Sequence, residues 1–573
     1  MENRTRSIYN NQGSESRNGA EGRRGSEAAQ SYASFLYLAG AHPILERKAP
    51  GGFLPAAGTV PVRHASDNGY SVPESASARH DSPQRGKMSC YAHGAHEDFS
   101  STITVRFISF LLLHKPGPVY HRRRSNAIMT QDLTKGRPFP TLLKFTLPVI
   151  GGNLFQLFYT LADTMIVGRT LGSNALAAVG STTIIIYLVL CFIQGITSGF
   201  GICLGQRCGA GDEKGMRQSI AVSFVLSAAF TLLITSVCCL LAHPILHWMQ
   251  TPDSIYDMAY DYMFAVLLGT GATIFYNLIS NILRALGDSR TPLYFLILSS
   301  LLNIVLDFAF ILPLGMGVAG AAWATVLSQL LSAVFCILAG WKKFPVMRVR
   351  PADLKDFVHQ ARIHLNTGFP MGFQMSVMCI GQLAMQAGVN ALGADAIAGY
   401  TAATKVDQLS VLVDQAFGVA ISSYVAQNFG AGKYDRIRQG VRASLIQTET
   451  ANLIMCAFIL LGRSLFVPLF VDQPTPSIIG YSNGYLIAVS PFYLILGLLT
   501  IYRSSIQSIG NGVIPFAACI IELVMRICGT MGLSMIWGYT GICLASPLAW
   551  IGATSLLIVV YYRMIGSLNP LKR

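Results

Sequence analysis

Two aspartates lie inside long apolar runs, Asp163 in residues 141–167 and Asp307 in residues 292–312. An ionisable side chain at such a place is costly to keep, so each marks a functional position by default. Asn303 precedes Asp307 by four residues, which puts the two on one helical face. At about 1.5 Å per residue, Asp163 sits roughly 7.5 Å and Asp307 roughly 9 Å from the end of its run, and Thr325 about 12 Å into the run 318–340. With the topology derived below, these four oxygen-bearing side chains share one depth band in the outer half of a membrane. Two carboxylates close together in a low dielectric cannot both ionise cheaply; they share a proton or bind a small cation. Oxygen donors suit a hard cation such as Na⁺. The plainer alternative is that each aspartate satisfies a nearby backbone or amide donor.

The elements that hold these groups must be membrane spans. Of 573 residues, 12% are charged and 52% hydrophobic, whereas soluble domains carry about 25% charge. That is too little charge to cover a water-facing surface, and it excludes a soluble enzyme, a disordered chain and a disulfide scaffold. From Pro140 onward, apolar runs longer than the roughly 20 residues a span needs alternate with short polar loops. Twelve are predicted, at 141–167, 175–205, 217–242, 258–286, 292–312, 318–340, 362–391, 396–427, 438–463, 479–509, 514–536 and 541–564. An even number puts both chain ends on one side. With those ends inside, 21 Lys and Arg lie on the inner side, against Arg169 and Arg463 outside. This strong positive-inside bias predicts cytoplasmic termini in a plasma or inner membrane. The net charge of +14 is therefore a topology signal, and no nucleic-acid partner is expected.

Residues 1–138 read differently. The first 128 hold 16 Lys and Arg with 10 Asp and Glu, and Ser, Gly, Arg and Ala dominate, so a disordered basic extension is expected. Met129 opens a segment that would serve as a natural start, which makes residues 1–128 a candidate upstream extension of the reading frame. The remainder divides into an N-terminal lobe at 139–340, a cytoplasmic linker at 341–361, a C-terminal lobe at 362–566 and a tail at 567–573. Neither a C-x-x-C pair nor a His spacing for zinc occurs among the twelve cysteines, which read as small buried fillers. No Walker motif, H-E-x-x-H or suitably placed G-x-S-x-G is present, so an enzyme is not expected and any transport is secondary.

The two lobes repeat each other. LGSNALAAVG at 171–180 aligns with LGADAIAGYT at 392–401, an offset of 221. At that offset, Gln206, Gly209, Ala210, Gly211, Arg217 and Gln218 recur as Gln427, Gly430, Ala431, Gly432, Arg438 and Gln439. RALGDSRTP at 284–292 matches QSIGNGVIP at 507–515, and GVAGAAWA at 317–324 matches GYTGICLA at 538–545. Each repeat has six spans, so the copies enter the membrane in the same sense. The fold class expected is an all-α polytopic membrane protein of twelve helices in two parallel-repeat, six-helix lobes.

The Q-x-x-G-A-G stretch after the second and eighth helices, the G-D/N-x-x-x-P turn after the fourth and tenth, and the paired lobes resemble the multidrug and toxic compound extrusion (MATE) family over residues 139–566. The first-helix run FQLFYTLADTMIVGR is similar to its DinF-like branch. The resemblance implies a cation site at Asp163, Asn303, Asp307 and Thr325, with Gln156 and Tyr159 on the same face of the first helix. A substrate cavity is placed at Gln156, Tyr159, Asn281, Met378, Asp407 and Asp414. In the C-terminal lobe, Asp407 and Asp414 are seven apart on one stripe, Glu522 and Arg526 stand i, i+4 as a structural ion pair or, second, a substrate contact, and Glu449 and Arg503 snorkel toward the interface. Met371, Met375, Met378 and Met385 serve either as an adaptable drug surface or as apolar lipid-facing filler. The expected activity is antiport of cationic or amphipathic small molecules against H⁺ or Na⁺ by a monomer among membrane lipids, with no cofactor beyond the coupling ion. A lipid-linked precursor flippase or polysaccharide exporter is the alternative reading, and an ion channel the third.

Overall fold

The computed structural model describes residues 131–470 and 474–568. The N-terminal lobe comprises α1 (Pro138–Leu171), α2 (Ser173–Ala210), α3 (Glu213–Trp248), α4 (Asp253–Leu268), α5 (Thr270–Ala285), α6 (Arg290–Ile311) and α7 (Gly317–Lys343). Short 3₁₀ turns follow at Pro345–Met347 and Pro351–Leu354. The C-terminal lobe comprises α8 (Phe357–Asn390), α9 (Ala394–Gly430), α10 (Tyr434–Phe470), α11 (Pro476–Val489), α12 (Tyr493–Ser508) and α13 (Val513–Ser567). Only helices satisfy every backbone group within one segment, which is what a bilayer interior demands of an isolated span.

Among the described residues, eight of these helices, and the α11–α12 run over Pro476–Ser508 as a ninth, are long and apolar enough to cross a membrane, and the α4–α5 pair, bent by 41° at Gly269, makes a tenth span. α8 is the eleventh, long enough at 34 residues but carrying four Gln, two Asn, two His and an Arg. The twelfth is hidden in α13, whose 55 residues contain one non-helical position, Gly538 at φ 54° and ψ −130°. A Cβ at Gly541 would overlap the Leu533 carbonyl, one at Gly529 would lie 3.2 Å from Ala545 Cβ, and one at Gly552 would overlap Met525. Those pairings mark an antiparallel hairpin folding back at Gly538. A side chain at that positive φ would be strained, so glycine supplies the turn.

Two expected spans are not continuous. The fourth breaks at Gly269, and the tenth breaks at a 3₁₀ turn over Ser490–Phe492, where Pro491 cannot donate to the helical ladder. The breaks are repeat-equivalent, since 269 plus 223 is 492. Helix ends repeat too: α2 closes on Gly211 at φ 70°, and the equivalent Gly432 has φ 68°, the left-handed C-cap that glycine favours.

The disordered extension expected at 1–138 falls outside the described residues for 1–130. Residues 131–137 pack against both lobes. Leu133 is fully buried in the C-terminal core beside Phe145, Tyr424 and Ile437. Its carbonyl accepts from Asn428 Nδ2 at 3.2 Å and from Arg436 Nη2 at 3.3 Å.

The lobes meet over the half of the bundle that carries the basic loops. There α2 packs on α8 with almost no side chain between them: a Cβ at Gly195 would overlap the Met371 carbonyl, and one at Gly199 would lie 2.5 Å from Gly368 Cα. Apolar burial drives little helix association inside lipid, so such backbone-to-backbone packing supplies much of the contact energy. α1 straddles the divide. Its early residues Leu142, Phe145 and Val149 join the C-terminal core, while Val167 packs among N-terminal residues.

Candidate functional site

The site is assembled by α1, α6 and α7. Asp307 is fully buried on α6 and Asn303, one turn earlier, is 1% exposed. The Asn303 amide donates to Asp307 Oδ1 at 3.5 Å and to Thr325 Oγ1 of α7 at 3.3 Å. Asp163 of α1 lies within hydrogen-bonding reach of Asp307. Asp163 Oδ1, Asp307 Oδ2 and Asn303 Oδ1 are buried without a partner. Three unpaired oxygens at one place are costly in a low dielectric. A proton shared by the carboxyls or a hard cation held among the oxygens would relieve that cost. Because α1 continues to Leu171, Asp163 lies about 12 Å from the helix end, deeper than the apolar run alone indicated.

Tyr159, one turn before Asp163, stands close enough to sense its charge and reaches toward Gln329 of α7. Gln156, a further turn away, is exposed. Two neighbours escaped the sequence reading. Tyr262 of α4 lies within electrostatic range of both aspartates. Gln329 follows Thr325 by four residues, so that spacing was the signal that could have found it.

The other candidates lie apart from this group. Asn281 sits near the basic end of α5, donating to Thr197 Oγ1 at 3.3 Å and accepting from Arg284 Nη1 at 3.3 Å. Met378 Sδ receives Arg503 Nη1 at 3.7 Å. Met371 and Met385 are buried rather than lipid-facing. Asp407 accepts from Tyr485 at 3.4 Å. Asp414 is 1% exposed with both oxygens unpaired, beside Asn452 and Glu449.

The snorkelling expected of Arg503 and Glu449 does not occur. Arg503 Nη2 lies 2.6 Å from Glu522 Oε2, and Arg526 Nη2 lies 2.8 Å from Glu522 Oε1, with all three side chains under 10% exposed. α12 points Arg503 inward, where a second guanidinium shares one carboxylate. Both oxygens of Glu449 are likewise buried.

Twelve spans among the described residues, in two parallel lobes with facing carboxyls in one of them, define a duplicated multi-pass membrane protein. The MatE family model matches residues 148–309 and again 370–531, one match in each lobe. The chain belongs to the MatE family, whose members are membrane transporters rather than enzymes. It is 29% identical over 379 residues to the probable multidrug resistance protein YpnP of Bacillus subtilis, covering 66% of this chain and 84% of that protein. Against the probable multidrug resistance protein NorM of Thermotoga maritima it is 27% identical over 391 residues, 67% of this chain and 82% of that one. Its fold is similar to an outward-facing multidrug resistance MATE family transporter of the MOP superfamily, with TM-score 0.72 at 23% identity, covering 78% of this chain and all of the other.

Proposed function

We propose that this protein is a secondary antiporter that exports cationic or amphipathic small molecules in exchange for H⁺ or Na⁺. The observation that carries the reading is the facing pair of half-buried Asp163 and fully buried Asp307, each with an unpaired oxygen next to Asn303. Such a pair gains most from whatever neutralises it, so loading by protons or a small cation is its natural chemistry. The relatives bearing multidrug resistance names support the substrate class.

The cycle follows from α1. With the cavity open to the basic side, a lipophilic cation enters between the lobes. Protons or Na⁺ arriving from the opposite side then load Asp163 and Asp307. Neutralising the pair alters the packing of α1, which carries Asp163 at its outer part and C-terminal-lobe contacts at its start. Asn153 Nδ2, midway along, donates to the Leu412 carbonyl of α9 at 3.1 Å. Pro148 removes one rung of the helical ladder on α1 and lowers the cost of bending there. Repacking of α1 therefore reaches both lobes, and the drug leaves outward. The positive-inside bias orients the molecule with its basic face, and both chain ends, in the cytoplasm of a cell membrane. A monomer encloses the whole pathway in this reading, and the DinF-like branch is its place in the family.

Efflux of ethidium or norfloxacin from vesicles, with the proton and sodium gradients collapsed separately, tests the proposal. Loss of efflux with one gradient names the coupling ion. Efflux indifferent to both would refute antiport.

A further inference from the structure

The two Q-x-x-G-A-G copies sit where the lobes meet, and each reaches into the other lobe. Gln206 Nε2 donates to the Ser508 carbonyl at 2.8 Å, and Gln427 Nε2 donates to the Ala285 carbonyl at 2.8 Å. Gln206 and Gln427 are repeat-equivalent, and so are Ala285 and Ser508, at an offset of 223. The acceptors are thus the helix ends that precede the two G-D/N turns. Between the glutamines the backbones touch: a Cβ at Gly209 would overlap the Gln427 carbonyl, and one at Gly430 would overlap the Gln206 carbonyl. Both glycines lie in helix, so their requirement is close approach rather than unusual torsion.

These bonds differ from hydrogen bonds at the membrane centre. Ala285 and Ser508 end helices at the basic face, and helix-terminal carbonyls have no intrahelical partner of their own. Water can replace the glutamine there when the lobes part, so the contact can break without stranding a polar group. A contact that is specific, symmetric and cheap to exchange suits an element that must open.

We propose that the paired motifs are a pseudo-two-fold clasp that holds the basic face shut in this conformation and opens once per transport cycle. Gln206 and Gln427 are its positioning residues, and Gly209 and Gly430 are the surfaces on which it closes. The clause about the transport cycle rests on the antiport reading above; the clasp itself does not.

The molecule contains its own reporter. Cys191 of α2 and Cys379 of α8 bring their Sγ atoms to 3.4 Å across the lobe contact. In full-length protein with the other ten of twelve cysteines replaced by alanine, dibromobimane should bridge this pair and fluoresce. Gln206→Glu and Gln427→Glu keep side-chain size but remove the donor, and at residue 427 they keep the acceptor for Leu133 N–H, a 3.1 Å bond. Losing one such bond shifts the closed population by roughly five-fold, so the two variants should slow bridging alike and the double variant more than either. Gly209→Val should slow it more than either glutamate change by blocking closure. Unfolding midpoints and gel-filtration profiles of the glutamate variants should stay near wild type, which separates the clasp from a general structural role. Wild-type bridging in both the double-glutamate and the valine variant would overturn the proposal, as would slowing by only one glutamate variant. Bridging is read without substrate or gradient, so a protein that fails to show antiport still tests the clasp.

Discussion

Asn303 Nδ2 donates to Thr325 Oγ1 at 3.3 Å, tying α6 to α7 at the depth where Asp307 is buried. The same nitrogen lies 3.5 Å from Asp307 Oδ1, leaving Asn303 Oδ1 unpaired beside the carboxyls. One amide therefore braces the wall of the site and offers it an oxygen.

Asn303→Ala removes both functions. Each hydrogen bond nets about 0.5–1.5 kcal/mol, so the coupling-ion concentration for half-maximal efflux should rise roughly two- to ten-fold. Initial rates of vesicle efflux across an ion titration check this. An unchanged half-saturation would take Asn303 out of the site.

Asp163→Asn should abolish gradient-driven efflux while leaving the protein folded. Removing one of two facing carboxyls relieves their repulsion without leaving a buried charge unpaired, so thermal stability in detergent should be equal or higher. Wild-type efflux from this variant would remove the core of the antiport reading. Asp307→Asn should behave the same way if the two groups act as the proposed pair.

Glu522→Gln should be among the most destabilising single changes in the C-terminal lobe. It leaves Arg503 and Arg526 buried without their shared carboxylate, and breaking a buried pair in this manner costs about 3–5 kcal/mol. Arg503→Met should cost less, because Glu522 keeps Arg526. Unfolding midpoints of the two variants in the same detergent decide the order.

Asp288 lies in the loop before α6, where its carboxylate accepts from Arg290 N and Thr291 N at 3.1 Å each and pairs with Lys343 at 2.6 Å. Burial pushes this carboxyl up, but Lys343 and the Thr291 donors outweigh it and hold the group below its usual range. A depressed carboxylate contributes stability above its unfolded value near pH 4, and that contribution is lost as pH falls through the folded value. Asp288→Ala should cost about 0.5–2 kcal/mol, as loss of a helix cap does. The gap between wild type and variant should hold from pH 8 to 5 and close in more acidic buffer, as thermal melts across pH would show.

Much of the fold was legible because a span announces itself locally. The run containing Asp307, its spacing to Asn303 and the depth of Thr325 all follow from a constant rise per residue and a constant turn. Duplication was equally legible, since equivalent motifs such as Gln206 and Gln427 recur at a fixed offset. The break at Ser490–Phe492 was masked by the apolar character on both sides of Pro491. The burial of Arg503 was masked because a long basic side chain near a helix end has two outlets, one to the interface and one to a partner 19 residues away.

Sequence by itself determined the spans, the duplication and the shared face of Asn303 and Asp307, because hydropathy and helical periodicity are properties of neighbouring residues. Only the tertiary structure decided which faces meet. Asp163 and Asp307 lie 144 positions apart in the chain, and Gln206 reaches Ser508 across 302. Such meetings depend on how each helix is rotated about its axis and how closely its glycines let a neighbour approach, and those are settled by all the helices packing at once.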